Sequence, residues 1–360
     1  MSRSRALGLC GVVVLLLALW PLMGQAAQAG TPLATPTGSS SAPVPVTFPR
    51  DDGPHDTTTE WWYFTGHLVT ETGDRYGFEY VIFKGRRNGI EGYAAHFAIT
   101  DNQTQTFRYD QRLGPASRQE QPTDGFDLAL DSWTMRGANG EDRLRADMAG
   151  YAIDLQLSSV KPPVLHDGDG HFNYGDGTAS YYYSRTRIAV EGSLTVGDET
   201  VPVTGDAWMD HQWGDFATFT AGGWDWYAVH LADGSELMLY VIRNEAGETV
   251  EAYGSLIDQG GAVTPLAGAD FVVEPVATWT SPTTGTTYPS GWQISLPAAA
   301  LSITLAPALL DQELDTTPTT GVIYWEGEVT VEGDRAGSPI DGLGYVELTG
   351  YAPYTPPSSP

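Results

Sequence analysis

Three things are scarce in this chain of 360 residues. Its one cysteine, Cys10, lies in an N-terminal apolar run, so an intramolecular disulfide and a thiolate metal cluster are both excluded. Lysine and arginine number 18 against 45 acidic residues, and the net charge of −27 repels phosphate backbones and anionic lipid, which excludes nucleic acid as a partner. Long stretches of helical periodicity are also missing, because 42 glycines and 24 prolines interrupt the chain. What is plentiful is aromatic, with 11 Trp and 18 Tyr. Frequent turns combined with large flat side chains point to an all-β protein.

The N-terminus has the layout of a targeting segment. Arg3 and Arg5 precede an apolar stretch from Ala6 to Leu19, and Ala27-Gln28-Ala29 supplies the small residues a signal peptidase accepts. Residues 1–29 are therefore expected to be a signal peptide and the mature protein to be secreted or otherwise extracytoplasmic. The apolar stretch is shorter than the ~20 residues a membrane span requires, so no span is expected after cleavage. Residues 30–46, rich in Thr, Pro and Ser, read as a disordered linker, and residues 353–360 as a Pro-rich tail.

From Trp61 onward the period is two. Trp61, Tyr63, Thr65 and His67 would face one way, and Trp62, Phe64, Gly66 and Leu68 the other. Similar runs recur at Tyr93 to Thr100, Phe126 to Leu130, Tyr151 to Leu157 and Tyr181 to Val190, and again after Trp224 with a hairpin at Asp233-Gly234. Strands apolar on both faces suit curled, barrel-like sheets. The expected organisation is two tandem antiparallel β-barrel domains, residues 47–215 and 216–352. One short helix is expected, from Leu305 to Leu314.

Two segments concentrate chemistry. Gly205 to Asp215, followed by Trp224 to Tyr227, carries His211, Asp210, Asp225, Trp208, Trp213, Trp224, Trp226 and Tyr227. In extended chain His211 and Trp213 share a face with Asp210 opposite. A histidine and a desolvated carboxyl beside indoles are equipped to move a proton to an apolar substrate. The competing reading makes the Trp side chains core and the acids turn caps. The second segment is Glu60-Trp61-Trp62-Tyr63, in which Glu60 must be hydrogen-bonded or face a cavity, since burying it alone is costly. No Gly-x-Ser-x-Gly elbow, His-Glu-x-x-His pair or phosphate loop is present. The histidines lack metal-ligand spacing, and neither a metal nor a cofactor is expected.

The motifs Phe48-Pro49-Arg50-Asp51-Asp52-Gly53-Pro54-His55, Thr59-Glu60-Trp61-Trp62-Tyr63-Phe64-Thr65-Gly66-His67-Leu68, Gly205-Asp206-Ala207-Trp208-Met209-Asp210-His211-Gln212-Trp213-Gly214 and Trp224-Asp225-Trp226 occur in that order. With Leu237-Met238-Leu239-Tyr240 they resemble the AttH and carotenoid 1,2-hydratase (hydroxyneurosporene synthase) family. That resemblance implies two lipocalin-like barrels and cofactor-independent addition of water to the terminal double bond of an acyclic carotenoid. Related fungal proteins hold a polyene in a pocket between the domains. The hydratases' His-x-Trp pair falls on His211 and Trp213, and their tyrosine on Tyr240. Ile242 stands where the hydratases have aspartate, with Asp210, Asp215 and Asp225 as replacements at hand. The combined reading is a secreted binder of an elongated apolar molecule. Glu60, Trp61, Trp62, Tyr63, Trp208, Trp224, Trp226 and Tyr227 would form its ligand site, and His211, Trp213, Tyr240, Asp210 and Asp225 its chemistry. A non-catalytic lipophilic carrier and a carbohydrate-active or carbohydrate-binding protein are the alternatives.

Overall fold

Two-residue alternation becomes antiparallel strand throughout the computed structural model, which describes residues 43–87, 90–115, 122, 124–173, 178–216 and 222–355. The expected signal peptide and most of the linker lie outside the described residues. The first sheet contains β1 (Thr59–Thr70), β2 (Arg75–Arg87), β3 (Ile90–Asp101), β4 (Thr106–Pro115), β5 (Phe126–Leu130), β6 (Trp133–Ala138), β7 (Glu141–Met148), β8 (Tyr151–Ser159), β9 (Val164–Leu165), β10 (His171–Asn173), β11 (Ala179–Val196) and β12 (Glu199–Gly214). The second contains β13 (Trp224–Leu231), β14 (Glu236–Arg243), β15 (Thr249–Ile257), β16 (Val263–Ala267), β17 (Val272–Thr280), β18 (Thr287–Leu296), β19 (Leu301–Pro307), β20 (Glu313–Asp315), β21 (Ile323–Arg335) and β22 (Ser338–Leu348).

Both sheets follow one plan. The first runs β4-β3-β2-β1-β12-β11-β8-β7-β6-β5 and the second β16-β15-β14-β13-β22-β21-β19-β18-β17, so in each the opening strand pairs with the closing one. Each sheet curls around its own core. Trp62, Phe64, Phe97 and Trp133 from distant strands meet in the first, and Tyr227, Trp292, Ile303 and Val346 in the second. Among the described residues no ladder joins β4 to β5 or β16 to β17, so the curls are barrel-like without hydrogen-bonded closure.

The expected helix at Leu305 to Leu314 is corrected: β19 continues to Pro307, and an irregular segment leads to β20. Side chains take over the role of helical hydrogen bonds there. Gln312 Nε2 donates to Leu309 O at 2.9 Å, and Trp325 Nε1 to Leu310 O at 2.8 Å. Among the described residues no helix is long and apolar enough to cross a membrane.

The outer faces of β1, β12, β13 and β22 pack against one another, joining Tyr63, Trp208, Trp226, Ala228 and Tyr345 in a third buried cluster. These four strands are thus buried on both faces, which is why indoles stand side by side at Trp61 and Trp62. A polar tie reinforces the contact: Lys161 and Arg187 on the first sheet's chain pair with the buried Glu236 of β14 at 2.7 and 2.5 Å.

Candidate functional site

Strand alternation aims Trp61 and Tyr63 of β1, Asp210 and Gln212 of β12, Trp224 and Trp226 of β13 and Glu347 of β22 toward the opposite sheet. They enclose a cavity of about 360 Å³. Phe83 and Tyr240 extend its aromatic walls, while His96 and Tyr324 stand at another side.

Two cavity carboxyls sit in different surroundings. Asp210 accepts hydrogen bonds from Trp208 Nε1 at 2.7 Å and from the Ser184 and Tyr182 hydroxyls. Burial pushes its carboxyl up to about 6, with these donors holding the shift back. Glu347 accepts from Trp224 Nε1 at 2.9 Å. It is half-buried by accessible surface because it borders the cavity, yet desolvation dominates and, helped by the negative charge of Asp210, pushes it up to about 7. Near neutrality the better-bonded Asp210 is ionised while much of Glu347 keeps its proton.

Two more acids lie behind the walls. Tyr63 OH donates to Glu326 Oε1 at 2.8 Å, and Tyr324 OH lies 3.0 Å from Glu79 Oε1 and 2.8 Å from His96 Nδ1. Burial raises Glu79 to about 8 and takes Glu326 well above the carboxylate range, the charges of Glu347 and Glu79 adding to the latter shift. His96, fully enclosed, is pushed down to about 3 and is neutral. Tyr324 OH donates to Glu79 Oε1, which holds back the rise of that carboxyl, and its oxygen is left to accept from His96 Nδ1.

Of the residues anticipated from sequence, Trp61, Tyr63, Asp210, Trp224, Trp226 and Tyr240 line this cavity, and Glu60 borders it while its carboxylate turns to His55 and His211. Trp208 lies beside it as a donor to Asp210. The others face elsewhere and correct the expected grouping. His211, Trp213 and Trp62 point into the first sheet, where the His211 ring lies 4.7 Å from each indole. Asp225 and Tyr227 point into the second sheet, Asp225 pairing with Arg243 at 3.1 Å and accepting from Tyr351 OH at 3.0 Å. His211 therefore cannot act with Asp210 or Asp225 on one substrate, because a sheet stands between them.

Glu60 is neutralised where it sits. Its Oε1 meets His55 Nδ1 at 2.7 Å and His211 Nε2 at 2.9 Å, and its Oε2 meets Lys84 Nζ at 2.9 Å. Desolvation opposes ionisation, yet the bonds to His211 and His55 win and lower this carboxyl to about 2. The ligand atoms of His55, Glu60 and His211 lie within 4.8 Å of one another, a donor set that could hold a metal. Each atom already has a hydrogen-bond partner, with Asp51 on His55 Nε2 and Tyr183 OH on His211 Nδ1, and the Lys84 ammonium opposes a second cation.

Glu347, Glu326 and Glu79 were missed. Their signal is local: an acid between apolar residues, as in Val346-Glu347-Leu348 and in Trp325-Glu326-Gly327, the segment that pairs with it, within strands otherwise built for a core.

The AttH-like family profile matches residues 39–351. A solved structure of a protein given the name AttH, from Nitrosomonas europaea, is 33% identical and superposes with a TM-score of 0.77, covering 89% of this chain and 100% of its own. Kievitone hydratase from Fusarium solani subsp. phaseoli is 21% identical over 322 residues, 85% of this chain and 86% of its own. The dehydratase asqC of Emericella nidulans is 23% identical over 304 residues, 79% of this chain and 83% of its own. The two-domain lipocalin-like architecture is common to this chain and its structural neighbours.

Proposed function

The chain belongs to the AttH-like family, and from that premise we propose that it adds water to, or removes it from, a carbon–carbon double bond of an apolar small molecule held between the two sheets. The observation that carries this reading is one cavity bordered by two carboxyls in different surroundings: Glu347, with one indole donor and pushed up to about 7, and Asp210, with three donors and pushed up to about 6. Environments that push two acids apart assign them different roles. Glu347 gives its proton to one alkene carbon, positive charge develops on the other, and the indoles of Trp61, Trp224 and Trp226 stabilise it. Asp210 takes a proton from the attacking water as the C–O bond forms. Proton return from Asp210 to Glu347 closes the cycle, and dehydration runs the same steps backward. The reaction is redox neutral and calls on no electron carrier. The signal-like residues 1–29 support an extracytoplasmic setting.

Incubation in ¹⁸O-water with a panel of alkenes and tertiary alcohols on aromatic or polyene bodies, read by mass spectrometry, tests the reading. Label should enter the alcohols with the wild type and fall about 100-fold or more with Glu347→Gln, the usual scale for losing a general acid. Label entry that survives Glu347→Gln and Asp210→Asn undiminished would overturn it.

A further inference from the structure

Apart from Glu60, which pairs with Lys84, the carboxyls around the cavity have no cationic partner among the described residues. Glu79 of β2, Asp210 of β12, Glu326 of β21 and Glu347 of β22 converge there from both sheets, and no described Lys or Arg pairs with any of them. The two cations that line the cavity are engaged elsewhere: Lys84 with Glu60 at 2.9 Å, and Arg86 with Glu91 at 3.0 Å and with Asp56. His96, on β3, is neutral. The phenols facing the acids are Tyr63 of β1, Tyr182 of β11 and Tyr324 of β21.

A second observation is independent of this clustering. Glu79 Oε2 and Glu326 Oε2 are buried and have no hydrogen-bond partner among the described residues, in side chains only 1% and 0% exposed. A buried oxygen without a partner is unfavourable, and like charges gathered in low dielectric are more so. Protons kept on the acids relieve the repulsion of like charges and leave the two oxygens without partners. A positive ligand would relieve that repulsion differently, and the walls of Trp61, Trp224, Trp226 and Tyr240 offer the π faces that attract such a ligand once water is excluded.

We propose that the cavity between the sheets binds an organic cation, a protonated amine or quaternary ammonium carried on an apolar body. This deepens the hydration reading by naming the class of its substrate, and it uses the same field that would stabilise positive charge in that reaction. A volume of about 360 Å³ lies at the small end of ligand sites, suiting one compact aromatic or aliphatic body. Binding is coupled to protons: a cation beside Glu347 and Asp210 favours their charged forms, so protons leave as it enters.

The test is binding of benzyltrimethylammonium to the full chain, against its neutral isostere neopentylbenzene, by calorimetry at pH 7 in two buffers of different ionisation enthalpy. The expected result is an affinity about tenfold or more higher for the ammonium, with net proton release. Glu347→Gln should reduce the preference, as should Glu326→Gln, which serves if the first variant does not fold. Equal affinities, absence of proton release, no ammonium binding at millimolar concentration, or a preference unchanged in both variants would overturn the proposal. Turnover is not part of the readout: ammonium binding without ¹⁸O entry removes the hydratase reading alone, and ¹⁸O entry without ammonium preference removes this one alone.

Discussion

Asp210 and His211 are consecutive in the chain and occupy opposite faces of β12. Asp210 accepts from Trp208 Nε1 at 2.7 Å beside the inter-sheet cavity, while His211 Nε2 meets Glu60 Oε1 at 2.9 Å inside the first sheet. Under the proposed function, the Asp210 side faces the substrate and the His211 side holds strands together. His211, Glu60, His55 and Lys84 fasten β1, β2 and β12 to the segment that precedes β1.

Trp213 is therefore a stability residue. Its indole stacks on His55 at 3.9 Å with an interplanar angle of 1° and is 4% exposed. Trp213→Ala should cost about 3–5 kcal/mol in denaturant unfolding. Trp224→Ala, at the half-buried cavity wall, should cost less and weaken ligand binding more. The reverse ordering would return Trp213 to the site.

The Glu60–Lys84 pair should be far more sensitive than a surface ion pair. Lys84→Met leaves a carboxylate with 0% exposure short of its ammonium and should cost about 3–5 kcal/mol. Adding Glu60→Gln should recover part of that loss. Chemical denaturation of both variants checks this, and a Lys84→Met loss below about 1 kcal/mol would show the pair to be solvated.

Stability should fall as pH rises from about 7 to 9, above the range in which the buried, neutral His96, His166 and His230 pull the other way. Burial lifts Glu347 and Glu79 to about 7 and 8, so over this range the folded chain holds protons that the unfolded chain has released. Glu60, lowered to about 2, works in the opposite sense: its contribution is present above its unfolded value of 4.5 and is lost as pH drops toward 2. Calorimetric Tm should be higher at pH 7 than at pH 9, and Glu79→Gln should flatten the slope. A Tm that climbs over that interval would contradict the assignment of these acids.

Much of the fold is legible in period-two alternation, and the site only in part. In β1 the pattern separates Trp61 and Tyr63 from Trp62 and Phe64, and the structure places the first pair between the sheets and the second in the first sheet's core. Alternation cannot say which face meets the other sheet when both are apolar, so His211 and Asp225 were grouped with Asp210 by nearness in sequence. Glu347 and Glu326 lie over a hundred residues from Asp210, and only the pairing of β1 with β12 and β13 with β22 brings them to one cavity. The helix expected at Leu305 to Leu314 failed because side chains of Gln312 and Trp325 satisfy the backbone instead.

The account depends most on a carboxyl that keeps its proton near neutrality beside the cavity. A ¹³C NMR titration of glutamate-labelled protein, with Glu347→Gln to identify the signal, measures it without a substrate. The Glu347 carboxyl should be half-protonated at about pH 7. A Glu347 signal fully ionised by pH 5 would contradict the assignment of a general acid to this cavity.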